Sequence, residues 1–194
     1  MSKIYNSIKN IANCILAPIR VFNDKIYDYI YLQSTKNEIH RMYSTNVFTE
    51  YFTFFCKPHE IYPRIFLGSA CNAASYKILK DHNIKFIINV SAEISNYYPK
   101  DFEYYQILIR DDNNESIHKY FDITYDVIEN FINTKEGNIL IHCFMGASRS
   151  ATIVANYVSK KTGNNITQII DDMKNKRNVV NPTYQYLNDL VKND

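Results

Sequence analysis

The stretch over residues 139–150, Ile-Leu-Ile-His-Cys-Phe-Met-Gly-Ala-Ser-Arg-Ser, brings together the residue types that handle a phosphate: a cysteine, then a glycine, then an arginine. Ile139-Leu140-Ile141 has the length and β-branched content of a buried strand, and Ala151-Thr152-Ile153-Val154-Ala155 starts an apolar helical pattern. A loop opening onto a helix N-terminus directs unpaired N–H groups and the positive end of the helix dipole into one concavity, which suits a dianionic phosphate. Cys143 at the floor of that cup would be held as the thiolate by the same amides, and the thiolate is the form of sulfur that attacks. Arg149, on the first turn of the helix, can fork two phosphate oxygens in a geometry that lysine cannot reproduce. Gly146 lets the chain turn so that amides point inward. The phosphate-binding segment is therefore Phe144, Met145, Gly146, Ala147, Ser148 and Arg149, with Cys143 as the nucleophile.

Expelling an ester oxygen also needs a proton donor. A strand ending at Arg110 delivers the pair Asp111-Asp112 into the polar loop Asn113-Asn114-Glu115, from which a carboxylic acid could swing over the cup. The residues alone leave the choice between the two open.

His142-Cys143-x-x-Gly146-x-x-Arg149-Ser150 resembles the signature of the cysteine-dependent protein tyrosine phosphatases, and its surroundings resemble the small, atypical dual-specificity branch. The resemblance implies attack of Cys143 on phosphorus, a cysteinyl-phosphate, and its hydrolysis by water, with no metal or other cofactor. It also implies an acid six positions before the first apolar residue of the following helix. Counting back from Ile117 gives Asp111, with Asp112 as the rival. Ser150 is placed to hydrogen-bond the sulfur and ease its departure from the phosphoenzyme, and His142 to order the loop and tune the thiol. Ser148 offers either an inward hydroxyl or only an amide. Towards the C-terminus, Val180-Asn181-Pro182-Thr183-Tyr184-Gln185-Tyr186-Leu187 resembles the opening of the family's last helix. Thr183 stands where Asn is usual and Asp189 where Gln is usual, which puts the anchoring of that helix in question. The resemblance covers roughly residues 57–192.

The elements that must carry this site follow from periodicity. Residues 60–69 read as an edge strand, a turn marked by Pro63 and a second strand; 70–82 as one helix; 84–90 as an apolar strand; 104–109 as another. Ser116 is placed to cap a helix running to 134, with Ile117, Tyr120, Phe121, Tyr125, Ile128 and Phe131 on its apolar face. The 139 strand, a helix stopped near Gly163, a helix over 166–176 and one beginning at Pro182 complete the chain. Strands alternating with helices predict an α/β fold: a mostly parallel central sheet flanked by helices, with the cysteine loop at a strand's carboxyl end. We place the catalytic domain at 57–194. Residues 1–56 carry an apolar stripe, Ile4, Ile8, Ile11, Ile15, Ile19 and Phe22, interrupted by Pro18, and are expected to form a helical extension for packing or for docking a second copy.

At 194 residues with 46% hydrophobic content, the chain can bury a core, and a net charge of +2 offers no strong field for nucleic acid or an anionic membrane. No run of residues reads as a membrane span. The four cysteines have no paired spacing of a zinc site or disulfide framework, so the cytoplasm or another reducing compartment is expected. The loop carries Phe144, Met145 and Ala147, whereas phosphoinositide phosphatases of the resembled superfamily tend to place lysines there. The expected substrate is thus a phosphorylated protein, with phosphotyrosine and phosphoserine or phosphothreonine both admitted. The alternatives are an RNA 5′-triphosphatase, which would want more basic surroundings, and a non-catalytic phosphopeptide-binding or scaffold protein, which would need no thiolate.

Overall fold

The computed structural model describes residues 57–110 and 115–193. The expected N-terminal helix and its dimer, together with Asp111 and Asp112, lie outside the described residues. Five strands form one sheet: β1 (His59–Tyr62), β2 (Ile65–Gly68), β3 (Ile84–Asn89), β4 (Glu103–Gln106) and β5 (Asn138–His142), in the order β1-β2-β5-β3-β4. Only the β1–β2 hairpin is antiparallel; β2–β5, β5–β3 and β3–β4 are parallel, as the alternation of strands and helices predicts. The helices are α1 (Ala70–Ala74), α2 (Tyr76–Asp81), α3 (Phe121–Thr134), α4 (Arg149–Thr162), α5 (Ile166–Lys176) and α6 (Tyr184–Asn193), with a 3₁₀ turn at His118–Tyr120.

The central strands bury both faces, and the pleat sorts their side chains. Ile65, Leu67, Phe86, Ile88, Ile139 and Ile141 join the larger core with residues of α3, α4, α5 and α6. Phe66, Ile87 and Leu140, one position out of step, meet Ala73 of α1 and Leu79 of α2 on the other face. Each such side chain taken out of water contributes roughly 1.5–3 kcal/mol. This is why β5 reads as an unbroken apolar run: it has no solvent face to alternate with.

Four expected elements differ in detail, the first being the strand over 104–109, which is β4 at Glu103–Gln106 and ends three residues early. The helix over 70–82 is two helices, because Ser75 adopts an extended backbone and its hydroxyl accepts from Ile78 N, capping α2. Ser116 does accept from His118 N, but the helix proper starts only at Phe121, after the 3₁₀ turn. Pro182 is not the first helical residue, since α6 begins at Tyr184. The stop at Gly163 is as expected: its φ of 71° is the left-handed C-cap of α4.

Candidate active site

The carboxyl ends of the parallel strands converge on one edge of the sheet, and β5 delivers Cys143 there between the ends of β2 and β3. From Cys143 to Ser148 every carbonyl is engaged. That of Cys143 faces the ring Nδ1 of His142 at 3.3 Å. Phe144 O accepts from Ala70 N at 3.0 Å, and Ala147 O accepts from Asn181 N at 2.8 Å. Met145 O and Gly146 O accept from Arg177 Nη2 and Nε at 2.9 and 3.0 Å. Ser148 O accepts from Thr152 N at 2.9 Å, already within α4. A peptide whose carbonyl is drawn outward turns its N–H the other way, so the loop is a nest of inward amides. One of those amides is seen at work: Gly146 N donates to Cys143 Sγ at 3.3 Å. Gly146 has φ 69°, and a Cβ there would lie 2.2 Å from Gly68 O, so both the turn and the close approach of β2 demand glycine.

The residues singled out in the sequence meet at this point. Ser150 Oγ donates to Cys143 Sγ at 3.2 Å. Arg149 opens α4 and is 2% exposed, as is Cys143. Its Nη1 donates to Glu93 Oε2 at 2.9 Å and to Ile109 O at 3.2 Å, and its Nη2 donates to Glu93 Oε1 at 2.6 Å. Ser148 turns its hydroxyl away from a substrate role: Oγ accepts from Thr183 N at 3.3 Å, leaving its amide for the cup. His142 is buried, and that burial, reinforced by the Arg149 charge, lowers its pKa to about 4 against the opposing Cys143 carbonyl and Glu93. The ring is neutral near pH 7 and brings no charge to the thiol.

Two residues that the sequence reading passed over complete the frame. Arg177, just past α5, is fully buried; desolvation lowers its pKa to about 10, opposed by the nearby Cys143 sulfur. Its guanidinium clamps two loop carbonyls and also reaches Lys57 O and His59 Nδ1. Following the basic run Lys174-Asn175-Lys176, it looks in sequence like one more cation at a helix C-terminus, and nothing there marks it as a core residue. Arg177→Leu should strand Met145 O and Gly146 O without donors, costing roughly 3 kcal/mol and lowering the melting midpoint by about 10 °C. A thermal melt superimposable on the wild type would show the clamp to be dispensable.

Glu93 is the second, and its signal was available: it sits in the loop beyond the carboxyl end of β3, the strand beside β5. Of the two departures from the family pattern, Thr183 leaves its hydroxyl buried with no hydrogen-bond partner among the described residues, whereas Asp189 supplies an anchor of its own. Its carboxylate accepts from Ser116 Oγ at 2.8 Å and Ile117 N at 3.1 Å. Three residues earlier on α6, Tyr186 donates to Arg110 O at 3.4 Å. One face of α6 thus holds both flanks of the segment that contains Asp111 and Asp112.

A mostly parallel α/β sheet with a thiol in an amide nest at the end of its central strand, beside a fixed guanidinium, defines the class of cysteine-dependent phosphatases. Residues 65–194 match the family model for the dual specificity phosphatase catalytic domain, and the chain belongs to that family of protein phosphatases. It is 33% identical over 133 residues to the protein phosphatase Slingshot of Drosophila melanogaster, a match covering 69% of this chain and 13% of that protein. It is also 33% identical over 133 residues to dual specificity protein phosphatase 1 of Arabidopsis thaliana, covering 69% of this chain and 67% of that one. A crystal structure of the human tyrosine phosphatase-like serine/threonine/tyrosine-interacting protein superposes with a TM-score of 0.67 at 26% identity, over 71% of this chain and 95% of that one. The chain therefore spans a small part of the Slingshot proteins and most of the shorter plant relative. The family and its named phosphatases favour neither an RNA 5′-triphosphatase nor a silent binding module. Among the described residues no helix is long and apolar enough to cross a membrane.

Proposed function

We propose that the protein hydrolyses phosphotyrosine and phosphoserine or phosphothreonine in protein substrates, through a cysteinyl-phosphate formed on Cys143. The observation that carries this is the loop itself, with its carbonyls engaged outside and Cys143 Sγ receiving Gly146 N and Ser150 Oγ within. The phosphate oxygens take the inward amides of residues 144–149 and the guanidinium of Arg149, which offset the charge that spreads over them in the transition state. The Cys143 thiolate forms a bond to phosphorus as the ester P–O bond breaks, and the departing oxygen takes the proton of the Asp111 carboxylic acid. Water then attacks phosphorus and gives a proton to the Asp111 carboxylate. The S–P bond breaks, inorganic phosphate leaves, and the Ser150 hydroxyl meets the returning charge on sulfur. Chemistry of this kind requires a reduced thiol, which favours a reducing compartment.

Phosphate release from a small aryl phosphate and from a panel of phosphotyrosine and phosphothreonine peptides tests the reading, and a wild-type protein that releases none of it ends the proposal. The acid is separable in the same assay. Asp111→Asn should lower kcat on a phosphopeptide by about 10²-fold or more, and should flatten the limb of the pH profile that reports the protonated acid. Asp112→Asn should change it by only a few-fold; the reverse order would move the role to Asp112.

A further inference from the structure

Behind the cysteine loop, on the side to which its carbonyls point, lies a group of cations that the reaction does not use. Arg177 separates it from the cup. Its Nη2 and Nε hold Met145 O and Gly146 O, while Nη1 faces Lys57 O at 3.5 Å and His59 Nδ1 at 3.3 Å. A guanidinium can only donate, so His59 Nδ1 is the acceptor and the one proton of the neutral ring sits on Nε2. Burial, reinforced by the charges of Arg177 and Lys57, lowers the pKa of His59 to about 4 and keeps the ring neutral near pH 7. The Nε2–H donor is therefore fixed, and it turns away from Arg177.

His59 lines a cavity of about 380 Å³ together with Lys57, Lys176, His82 and Phe66. Lys176 Nζ gives one hydrogen to Ile61 O at 2.8 Å and has two more to offer. The Lys57 backbone is held by Arg177 while its side chain reaches solvent. Glu60 is the one acid among the described lining residues, and its Oε1 already accepts from Arg64 N at 3.0 Å. Helix C-termini repel anions, and both α2 and α5 end here. Their late carbonyls are capped, however: Ile78 O accepts from His82 N at 3.1 Å and His82 Nδ1 at 2.9 Å, and Met173 O accepts from Arg177 N at 2.8 Å. The wall thus presents two ammonium groups and an N–H donor from three separate stretches of chain, with Phe66 as an apolar floor against the His82 ring at 5.4 Å.

We propose that this cavity is a second anion site, taking a phosphate group between the ammonium groups of Lys57 and Lys176 and the Nε2–H of His59. The phosphate is either free inorganic phosphate, the product of the reaction above, or one carried on a protein side chain. The site lies across Arg177 from the cup and shares no donor with it, so it stands or falls apart from the phosphatase reading.

The test follows the ring C–H signals of His59 and His82 by NMR on the full chain as inorganic phosphate is added at constant ionic strength. Both rings should shift and saturate with a midpoint below about 10 mM. Lys57→Glu should raise that midpoint by about tenfold or more, and leave kcat/KM for an aryl phosphate within about twofold of the wild type. Lys100→Glu, an equal change of net charge at another exposed lysine, should move the midpoint by less than about twofold. Should Lys57→Glu lower the melting midpoint, Lys57→Gln decides by the same comparison with the stem of the side chain kept. Shifts that do not saturate, a midpoint unchanged in the Lys57 variants, or an equal effect of Lys100→Glu each overturn the site. A phosphoserine peptide added to Cys143→Ser, which should not hydrolyse it, separates the two sources. Tighter binding than inorganic phosphate assigns the site to a phosphorylated protein, and weaker binding assigns it to the free anion. An inactive wild type whose His59 and His82 signals still saturate refutes the phosphatase reading alone.

Discussion

Cys143→Ser should lower turnover of a small aryl phosphate by on the order of 10⁴-fold or more, with the fold and the phosphate site kept. The argument is one of which atom can carry charge. Sγ lies 3.3 Å from Gly146 N and 3.2 Å from Ser150 Oγ, contacts that a sulfur anion accepts and that hold it facing the cup. A serine oxygen in its place is a hydroxyl that stays un-ionised near neutrality, and no described side chain hydrogen-bonded to that sulfur is a base able to take its proton: Ser150 donates to it and His142 turns Nδ1 to the Cys143 carbonyl. The amide nest and Arg149 do not depend on the sulfur, so orthovanadate should still raise the melting midpoint of Cys143→Ser. Loss of both turnover and vanadate stabilisation would point to a collapsed loop. Turnover within tenfold of the wild type would remove Cys143 from the chemistry altogether.

The site was legible where chemistry and backbone coincide in one short stretch, and hidden where the chain returns from far away. Cys143, Gly146, Arg149 and Ser150 lie on one strand–loop–helix unit, so their spacing already encodes their meeting. Ile139-Leu140-Ile141 announces a strand with no solvent face, and the structure gives it neighbours on both edges and cores on both faces. Arg177 is different, because its meaning arises only when α5 ends beneath the loop and its guanidinium reaches Met145 O and Gly146 O, more than thirty residues back. Its type and its neighbours Lys174 and Lys176 suggest a solvated helix end; tertiary contact alone makes it a buried clamp. Asp189 shows the converse. Judged by the family pattern it is a departure, yet a carboxylate on that face of α6 can accept from Ser116 Oγ and Ile117 N together, and so the anchoring is met by another chemistry. Ser75 was legible in principle, since a serine inside an otherwise apolar helix competes for backbone donors, and here it splits the segment in two.

Arg149→Lys carries the second-largest expected effect, a fall in kcat/KM of about 10³-fold. Lysine keeps the charge and can still meet Glu93, so the ion pair that buries the head of the helix is retained in part and the melting midpoint should move little. What is lost is the plane. The guanidinium satisfies Glu93 and Ile109 O with one edge while keeping a second pair of donors in a fixed relation to the first. A single ammonium drawn toward Glu93 is drawn away from the phosphate, and one reaching for the phosphate leaves Glu93 and Ile109 O behind. The loss should therefore appear in kcat as well as in KM, because the equatorial oxygens gain charge between substrate and transition state and the fork that follows that change is gone. A lysine variant with a raised KM and an unaltered kcat would mean that Arg149 only gathers substrate, and the geometry at the opening of α4 would then have to be read as a binding site rather than as part of the reaction.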